Sequence, residues 1–525
     1  MYTIVDLEAT GGKFNEESII EIAIYKFDGV SITDQFISLV NPEKEIHPYV
    51  EKLTGISSKM LKTAPKFHEI AKRVIEITSD SVLVAHNAQF DYRILQLEFK
   101  RLGFDFSMKS ICTVILSQEL LPDQQSYKLG RLSRSLGIPI KDRHRASGDA
   151  LATVELFKIL LEKDVKPYVK EFESQDKYPQ DIADKMADLG LFGATISPEY
   201  GGLGLSAVTY SKIVENVSAV WMSVSGIFNS HLIMCAAVER FGTEEMKRYY
   251  LPKFATGEIR GGIALTEPDC GTDLQSIKTK AKKVGNDYII DGTKTWITNS
   301  VQGTILAVLV KTDQDITPAH KGMSLILVEK KNGFISRKLK KLGYRGIDTG
   351  EVQLENVKVP KSNLIGEIEG KGLQQILAGL ELGRINVAAR GVGVARASLD
   401  DSIEYAKTRK TFGKPISEHQ SIQIKLAEMA TKLEASRLLT EQAAKAYDSG
   451  NRSDLQAGMA KLFATETALF NSTEAMRIHG GFGYSPEYNI ERYYRDAPLL
   501  AIGEGTNELQ KLIIAKQLVS EDLNI

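Results

Sequence analysis

Cysteine and tryptophan are scarce in this sequence, and it has neither a marked excess of one charge nor a long apolar run. Its 525 residues include three cysteines, far apart along the chain, and two tryptophans. An odd number of distant cysteines argues against a disulfide scaffold or a zinc cluster and favours a reducing compartment. The formal net charge of −1 gives no global reason to bind nucleic acid or a membrane. We expect a cytoplasmic protein with no membrane partner, because no apolar stretch is long enough to span a bilayer.

The order of strand and helix patterns predicts several domains, since the chain is too long for one. Strands and helices alternate at first, which is typical of an α/β sheet domain. Helical stripes, a block of short strands and long helices follow, which predicts a β domain between helical layers. Within the β block, Asp291-Gly292 is typical of a hairpin turn. The predicted domains are 1–163, 164–260, 261–365 and 366–525.

Four acids and a histidine in the first domain have the order of a metal site. Asp6 and Glu8 fall on one face of a predicted strand, because side chains alternate along a strand. Asp91 lies at a helix start after another strand, and His144 and Asp149 lead into a later helix. Divalent cations prefer carboxylate oxygens, and paired metals with a nearby histidine can drive phosphodiester cleavage. For any one acid a loop-end charge is the simpler interpretation, but the ordered set is far more specific.

This segment resembles the DEDDh exonucleases, specifically the proofreading-subunit type of bacterial DNA polymerase III. The resemblance spans about the first 163 residues and implies a ribonuclease H-like α/β fold that acts on 3′ ends of single-stranded DNA or RNA. It also implies two Mg²⁺ or Mn²⁺ ions on Asp6, Glu8, Asp91 and Asp149, with His144 as general base. The matching motifs are residues 6–11, 40–42, 53–56, 86–91 and 144–149.

A basic strip lies within residues 122–145, where six basic side chains face two acidic ones. Such a strip can hold phosphates, although a solvated helix face would have the same composition. The basic residues are Lys128, Arg131, Arg134, Lys141, Arg143 and Arg145.

Near the end of the chain, a lone carboxylate, Glu504, sits between two glycines. Glycine allows backbone conformations that other residues avoid, and Thr506 is suited to cap the helix that follows. The arrangement fits a positioned base. Taken alone, it fits equally a solvated acid at a helix start, where the helix dipole favours negative charge.

Residues 165–525 resemble the acyl-CoA dehydrogenase family. The resemblance implies an α-helical domain, a middle β domain and a C-terminal four-helix bundle. The family removes two hydrogens across the α and β carbons of a thioester, which needs a base for the proton and an acceptor for the hydride. The resemblance implies that Glu504 is the base and FAD the hydride acceptor. Some members place the base at the position of Gly383 instead. The matching motifs are residues 265–273, 296–299, 408–415, 479–484 and 495–496.

The resemblance also carries binding residues over to this chain. Acyl-CoA is expected at Thr272, Glu381, Arg384 and Gly505. Residues 408–415 correspond to a segment that reaches a neighbouring subunit's flavin, which implies a dimer or tetramer, and an electron-transfer flavoprotein is the expected electron acceptor. The implied FAD contacts are Leu265, Thr266, Thr272, Trp296, Thr298, Arg409, Phe412, Gln420, Arg477, Gly480, Gly481, Thr506 and Glu508.

The junction between the two segments has no flexible linker. A helix predicted over 150–161 is apolar nearly all round, so we expect it to be buried on several faces. The dehydrogenase-like part then begins at 164 with a truncated first helix, whose missing turns the exonuclease helix replaces.

The sequence thus predicts an FAD-dependent acyl-CoA dehydrogenase fused to a metal-dependent 3′–5′ exonuclease. Two alternatives remain open at this point. In the first, the dehydrogenase fold is an oligomeric scaffold for a DNA-associated nuclease. In the other the fusion is accidental and only one half is active.

Overall fold

The computed structural model describes residues 2–12, 14–27, 32–121, 124–140, 145–450 and 453–520, without the side chains of 119–120, 157–168 and 520. The chain divides into two compact units, Met1–Pro167 and Tyr168–Ile525. The boundary falls within one long helix, Ala146–Gln175.

The first unit is an α/β domain built on a five-stranded sheet in the order β3-β2-β1-β4-β5. The pairs β1–β2 and β2–β3 are antiparallel, whereas β4 runs parallel to β1 and β5. Its elements are β1 (Tyr2–Ala9), β2 (Ile19–Phe27), β3 (Ile32–Leu39), α1 (Pro48–Thr54), α2 (Ser58–Leu61), α3 (Phe67–Thr78), β4 (Val82–Ala85), α4 (Ala88–Arg101), β5 (Ser110–Cys112), α5 (Thr113–Leu120), α6 (Leu129–Ser135) and the start of α7 (Ala146–Gln175).

Helices cover both faces of this sheet. Helices α3 and α4 pack on one face, around a core that includes Val74 and Phe99. The first turns of α7 pack on the other face through Ala146, Ala150 and Val154, which share one side of the helix. The expectation that α7 is buried nearly all round is wrong at Leu151, which is 42% exposed; Phe157 to Leu161 lie outside the described side chains.

The second unit follows the predicted order of helices, β block and helices. The elements are α8 (Gln180–Asp188), α9 (Ala207–Phe241), α10 (Glu244–Ala255), β6 (Gly261–Ala264), β7 (Lys280–Val284), β8 (Asp287–Thr298), β9 (Ile305–Lys311), β10 (Met323–Glu329), β11 (Phe334–Lys338), β12 (Thr349–Pro360), α11 (Gly372–Thr408), β13 (Lys410–Thr411), β14 (Lys414–Pro415), α12 (Gln420–Asp448), α13 (Asp454–His479), α14 (Ile490–Ile502) and α15 (Asn507–Ser520).

The β block forms a seven-stranded sheet in the order β10-β9-β7-β8-β12-β11, with β6 beside β9. The predicted hairpin at Asp291-Gly292 is wrong, because both residues lie inside the continuous strand β8. Its partner β12 bulges there, and the Asp291 carboxylate accepts a hydrogen bond from the backbone N–H of Asn356 in the bulge. The dipeptide therefore holds a bulge in place of a turn.

Helix α9 is long and apolar enough, by length and composition alone, to cross a bilayer, contrary to the sequence expectation. However, 78% of its most apolar window is buried inside the fold, as in a core helix. Trp221 also interrupts its helical backbone, with φ −156° and ψ 102°.

Candidate functional site

Three of the predicted metal-binding acids meet at the middle of the first sheet. Asp6 and Glu8 project from β1, and Asp149 lies in the first turn of α7. One carboxylate oxygen from each lies within 4.8 Å of the other two. That spacing suits a hard divalent cation bound through carboxylate oxygens.

Asp91 lies in the first turn of α4 and is not part of this close group. Its Oδ1 accepts a hydrogen bond from the backbone N–H of Leu7, at 3.0 Å, between the two acids of β1. Asn87 precedes the helix with φ 79°, a left-handed conformation that asparagine tolerates well. The sharp turn into α4 therefore brings Asp91 against β1.

The electrostatics of this cluster favour a bound cation. Burial, together with the charges of Asp91, Asp149 and Glu8, holds the pKa of Asp6 well above its ordinary value. Burial, with Asp149 and Glu21 beside it, raises the pKa of Glu8 to about 8. Carboxylates this close repel one another when ionised, and a cation between them removes that cost.

The predicted general base, His144, lies outside the described residues, as do Lys141 and Arg143 of the basic strip. Lys128, Arg131 and Arg134 are exposed on or beside α6. Arg145 has a structural partner instead.

Glu21 was missed by the sequence reasoning, and it fixes the start of α7. It stands opposite Glu8 across the β1–β2 ladder and is 2% exposed. It accepts hydrogen bonds from Arg145 Nη2, at 2.5 Å, and from the backbone N–H of Ala146, at 2.9 Å. The helix that carries Asp149 is thereby tied to the strand beside the other acids.

In the second unit, Glu504 lies on the tight turn between α14 and α15. Its own φ is 54° and that of Gly505 is 88°, whereas Gly503 has an ordinary φ of −71°. Thr506 caps α15 as predicted, because its hydroxyl accepts from the Leu509 N–H at 3.2 Å.

The Glu504 carboxylate has one held oxygen and one free oxygen. Asn229 Nδ2 donates to Oε1 at 2.8 Å, while Oε2 has no hydrogen-bond partner among the described residues. Gly383 faces Oε2 so closely that an added Cβ would lie 2.6 Å from it. Burial raises the pKa of Glu504 above its ordinary value, although Arg390 and Lys461 oppose that shift. A carboxylate with a raised pKa and a free oxygen suits a general base.

Lys461 on α13 holds this turn and was also missed. Its ammonium is fully buried and donates to the carbonyls of Ala501 and Gly505 and to Asn507 Oδ1, at 3.3, 2.7 and 2.8 Å. Burial lowers its pKa to about 8, against the charge of Glu504. The two carbonyls lie on either side of Glu504, so Lys461 sets the shape of the turn.

The predicted FAD residues of the β domain are brought together along β8. Lys294 Nζ donates to the carbonyl of Leu265, and the Thr295 N–H donates to the carbonyl of Thr266. Trp296 and Thr298 follow on the same strand, and Trp296 is 58% exposed. Lys294 is itself held by a buried ion pair with Glu267, which anchors the loop that carries Thr272.

A second set of predicted FAD residues collects at the far ends of α11 and α13. The Arg409 guanidinium lies 6.0 Å from the Phe482 ring, just after Gly480 and Gly481. Phe412, on the β13–β14 hairpin, is 96% exposed. No hydrogen bond or ring contact between described residues joins this set to the β8 set. The remaining members are Gln420 at the start of α12, Arg477 paired with Glu474, and exposed Glu508.

The predicted substrate residues on α11 have partners at the start of α13. Arg384 Nη1 donates to Asp454 Oδ1 at 2.9 Å, and Glu381 accepts from Ser453 Oγ at 3.4 Å. Burial raises the pKa of Glu381. Arg384 therefore already has a counter-charge within the fold.

Comparison with known proteins decides the family. The acyl-CoA dehydrogenase N-terminal, middle and C-terminal domain models match residues 149–258, 262–357 and 370–519. A 3-(aryl)acrylate reductase of Clostridium sporogenes is 40% identical over 362 residues, 68% of this chain and 95% of the relative. The chain belongs to the acyl-CoA dehydrogenase family. Residues 3–157 match the Exonuclease model, so this member of the family carries an exonuclease-family domain at its front.

Solved structures of the family match the same part of the chain. The acyl-CoA dehydrogenase of Geobacillus kaustophilus has a TM-score of 0.67 at 38% identity, with 70% of this chain and 97% of that chain covered. A chain from work on the electron transferring flavoprotein of Acidaminococcus fermentans has a TM-score of 0.67 at 36% identity, with 69% and 95% covered. The dehydrogenase match begins at Asp149, inside α7, ahead of the predicted boundary at 164.

We predict that Glu21→Gln weakens divalent-metal binding by about tenfold or more, the usual effect of losing a residue that orients metal ligands. The change removes the charge that holds Arg145 and the start of α7, without touching a metal ligand. Titration calorimetry of the full chain with Mn²⁺ measures the loss. Glu76→Gln, an exposed change on α3, is the matched control, and equal Mn²⁺ affinity in both variants would contradict the positioning role.

Proposed function

We propose that the dehydrogenase part is an FAD-dependent enzyme that interconverts an acyl-CoA thioester and its α,β-unsaturated form, with Glu504 as the base. The observation that carries this proposal is the buried Oε2 of Glu504, which has no hydrogen-bond partner among the described residues. It faces Gly383, where an added Cβ would lie 2.6 Å from it. In the dehydrogenation direction Glu504 takes the α proton, and its own backbone N–H polarises the thioester carbonyl.

The residues present fit a flavin. Gly480 and Gly481 have open space where a Cβ would stand, His479 Nε2 is buried without a partner among the described residues, and Trp296 offers an exposed ring. The β8 set would hold one part of FAD and the second set another. Bound FAD supplies the acceptor for the β hydride.

The two sets also support a dimer or tetramer, in which the exposed Phe412 hairpin completes a neighbouring subunit's site. An active, flavin-loaded monomer in light scattering would refute this assembly. We propose an electron-transfer flavoprotein as electron partner, in keeping with the A. fermentans match. The C. sporogenes relative is a reductase. We therefore propose that the electron partner decides whether the acyl-CoA is dehydrogenated or its unsaturated form is reduced.

Glu504→Gln should retain flavin but reduce it at least about 100-fold more slowly with acyl-CoA, because only the base is lost. Stopped-flow bleaching of the flavin measures the rate, with the exposed Glu245→Gln as control. Rapid bleaching in Glu504→Gln would remove Glu504 from its role.

The pH profile gives a second check on the same group. The raised pKa of Glu504 should place the acid limb of kcat/KM above the ordinary value for glutamate, because the base must be ionised. Asn229→Ala removes the hydrogen bond that favours the ionised form. It should move that limb to higher pH, and an unmoved limb would show that Asn229 does not support the base.

For the front domain we propose a 3′–5′ exonuclease that uses two Mg²⁺ or Mn²⁺ ions. The three converging carboxylates support it, with Asp91 beside them as a further ligand. This cluster of half-buried carboxylates favours a nuclease activity in this domain over the alternative in which the dehydrogenase fold is only a scaffold.

Asp6→Ala or Asp149→Ala should abolish Mn²⁺-dependent release of nucleotides from a labelled single-stranded 3′ end, without changing flavin bleaching. Asp105→Asn, an exposed change after α4, should have no effect on either activity. Degradation that survives chelation, or persists in both alanine variants, would point to a different site.

A further inference from the structure

A buried arginine, Arg390, lies beside the proposed base without a carboxylate partner. Arg390 is 4% exposed, and among the described residues no carboxylate oxygen lies within 4.0 Å of its guanidinium. Nη1 donates to the hydroxyl of Tyr344 at 3.1 Å, and Nε has no hydrogen-bond partner in the described part of the chain. A buried guanidinium is costly unless an anion accompanies it.

The position of Arg390 follows from the packing of α9 against α11. Gly383, Asn386 and Arg390 are spaced i, i+3 and i+7, and so share one face of α11. An added Cβ at Gly383 would meet Ile233 of α9 at 3.0 Å. At the other end, an added Cβ at Gly226 of α9 would strike the Tyr344 hydroxyl that Arg390 contacts. The two helix faces therefore run side by side from Glu504 to Arg390.

Polar side chains line the middle of this track. Asn386 Nδ2 donates to the Tyr210 hydroxyl at 2.8 Å, which donates to Asn229 Oδ1 at 3.3 Å. Asn229 in turn holds Glu504. Asn386 Oδ1 is buried without a partner among the described residues. An apolar acyl chain beside Asn386 would leave that oxygen without a hydrogen-bond partner.

The length of the track limits the size of its occupant. Seven residues of helix rise by about 10 Å, and an arginine side chain on a helix leans back toward the N-terminal end, here toward Gly383 and the base. An acyl group that reaches from Glu504 to the guanidinium is therefore short.

We infer that the acyl group handled at Glu504 is short and ends in a carboxylate, which Arg390 binds: the substrate is a CoA monothioester of a short dicarboxylic acid. This inference rests on the proposed function and adds a substrate class to it. Guanidinium and carboxylate form strong charge-assisted hydrogen bonds, and the Tyr344 hydroxyl keeps the guanidinium oriented. The competing role for Arg390 is to balance the charge of Glu504, whose pKa it lowers.

The test compares glutaryl-CoA with pentanoyl-CoA, which has the same chain length without the carboxylate, by anaerobic flavin bleaching of the full-length protein. The wild type should prefer glutaryl-CoA by more than about tenfold in kcat/KM. Arg390→Gln should lower that ratio by about tenfold or more. Arg396→Gln, on the same helix but paired with Glu215, should leave the ratio unchanged.

Two results would overturn the inference. The first is a wild-type protein whose flavin bleaches with pentanoyl-CoA at least as well as with glutaryl-CoA. This result decides against the inference even if the Arg390 variant fails to fold. The second is an equal loss of kcat/KM for both thioesters in Arg390→Gln, with the acid limb shifted to higher pH. It would show that Arg390 only balances the charge of Glu504. Both results leave the proposed function standing, whereas no bleaching with any acyl-CoA would remove the proposed function and this inference together.

Discussion

The buried ammonium of Lys461 is the contact on which the dehydrogenase site depends. It binds the carbonyls of Ala501 and Gly505. Ala501 lies in the last turn of α14, where a helix leaves its carbonyls without intrahelical partners. Glu504 between them adopts a positive φ that a non-glycine residue rarely takes without support. A lysine kept from water has few other partners, so its need for acceptors and the turn's need for donors are met together. Glu504 is thus positioned through its turn by Lys461 of α13 and through its carboxylate by Asn229.

In the exonuclease-family domain a buried charge also fixes the site, but here it is a carboxylate. Glu21 is a buried acid on a strand, and it collects its donors from Arg145 and the first N–H of α7. The start of that helix cannot move without leaving a buried carboxylate unpaired, which is costly. Asp149, one turn further on, therefore reaches Asp6 and Glu8 in a set position. In both units a buried charged group orients the carboxylates of the candidate site.

The sequence predicted the carboxylates that the structure places at the two candidate sites, but not the groups that orient them. Asp6, Glu8 and Glu504 were found because motif order and backbone periodicity place them on strands and turns. Lys461 and Glu21 were missed since each is a lone charge inside an apolar run, a pattern that alone also fits a surface residue. The hairpin expected at Asp291-Gly292 failed because dipeptide preference is local, whereas β12 supplies a long-range partner for the whole strand. The role of a residue whose partner lies far along the chain cannot be predicted until the fold is known.

Helix α7 has a consequence for how the two domains can be separated or inherited. The Exonuclease match ends at residue 157, while the dehydrogenase match has already begun at 149. The two families therefore claim the same stretch of helix, and no single cut leaves each piece with its full family complement. Substitutions in this stretch answer to two sets of requirements at once. A gene that arose by joining two reading frames would be hard to separate again without rebuilding one of the ends.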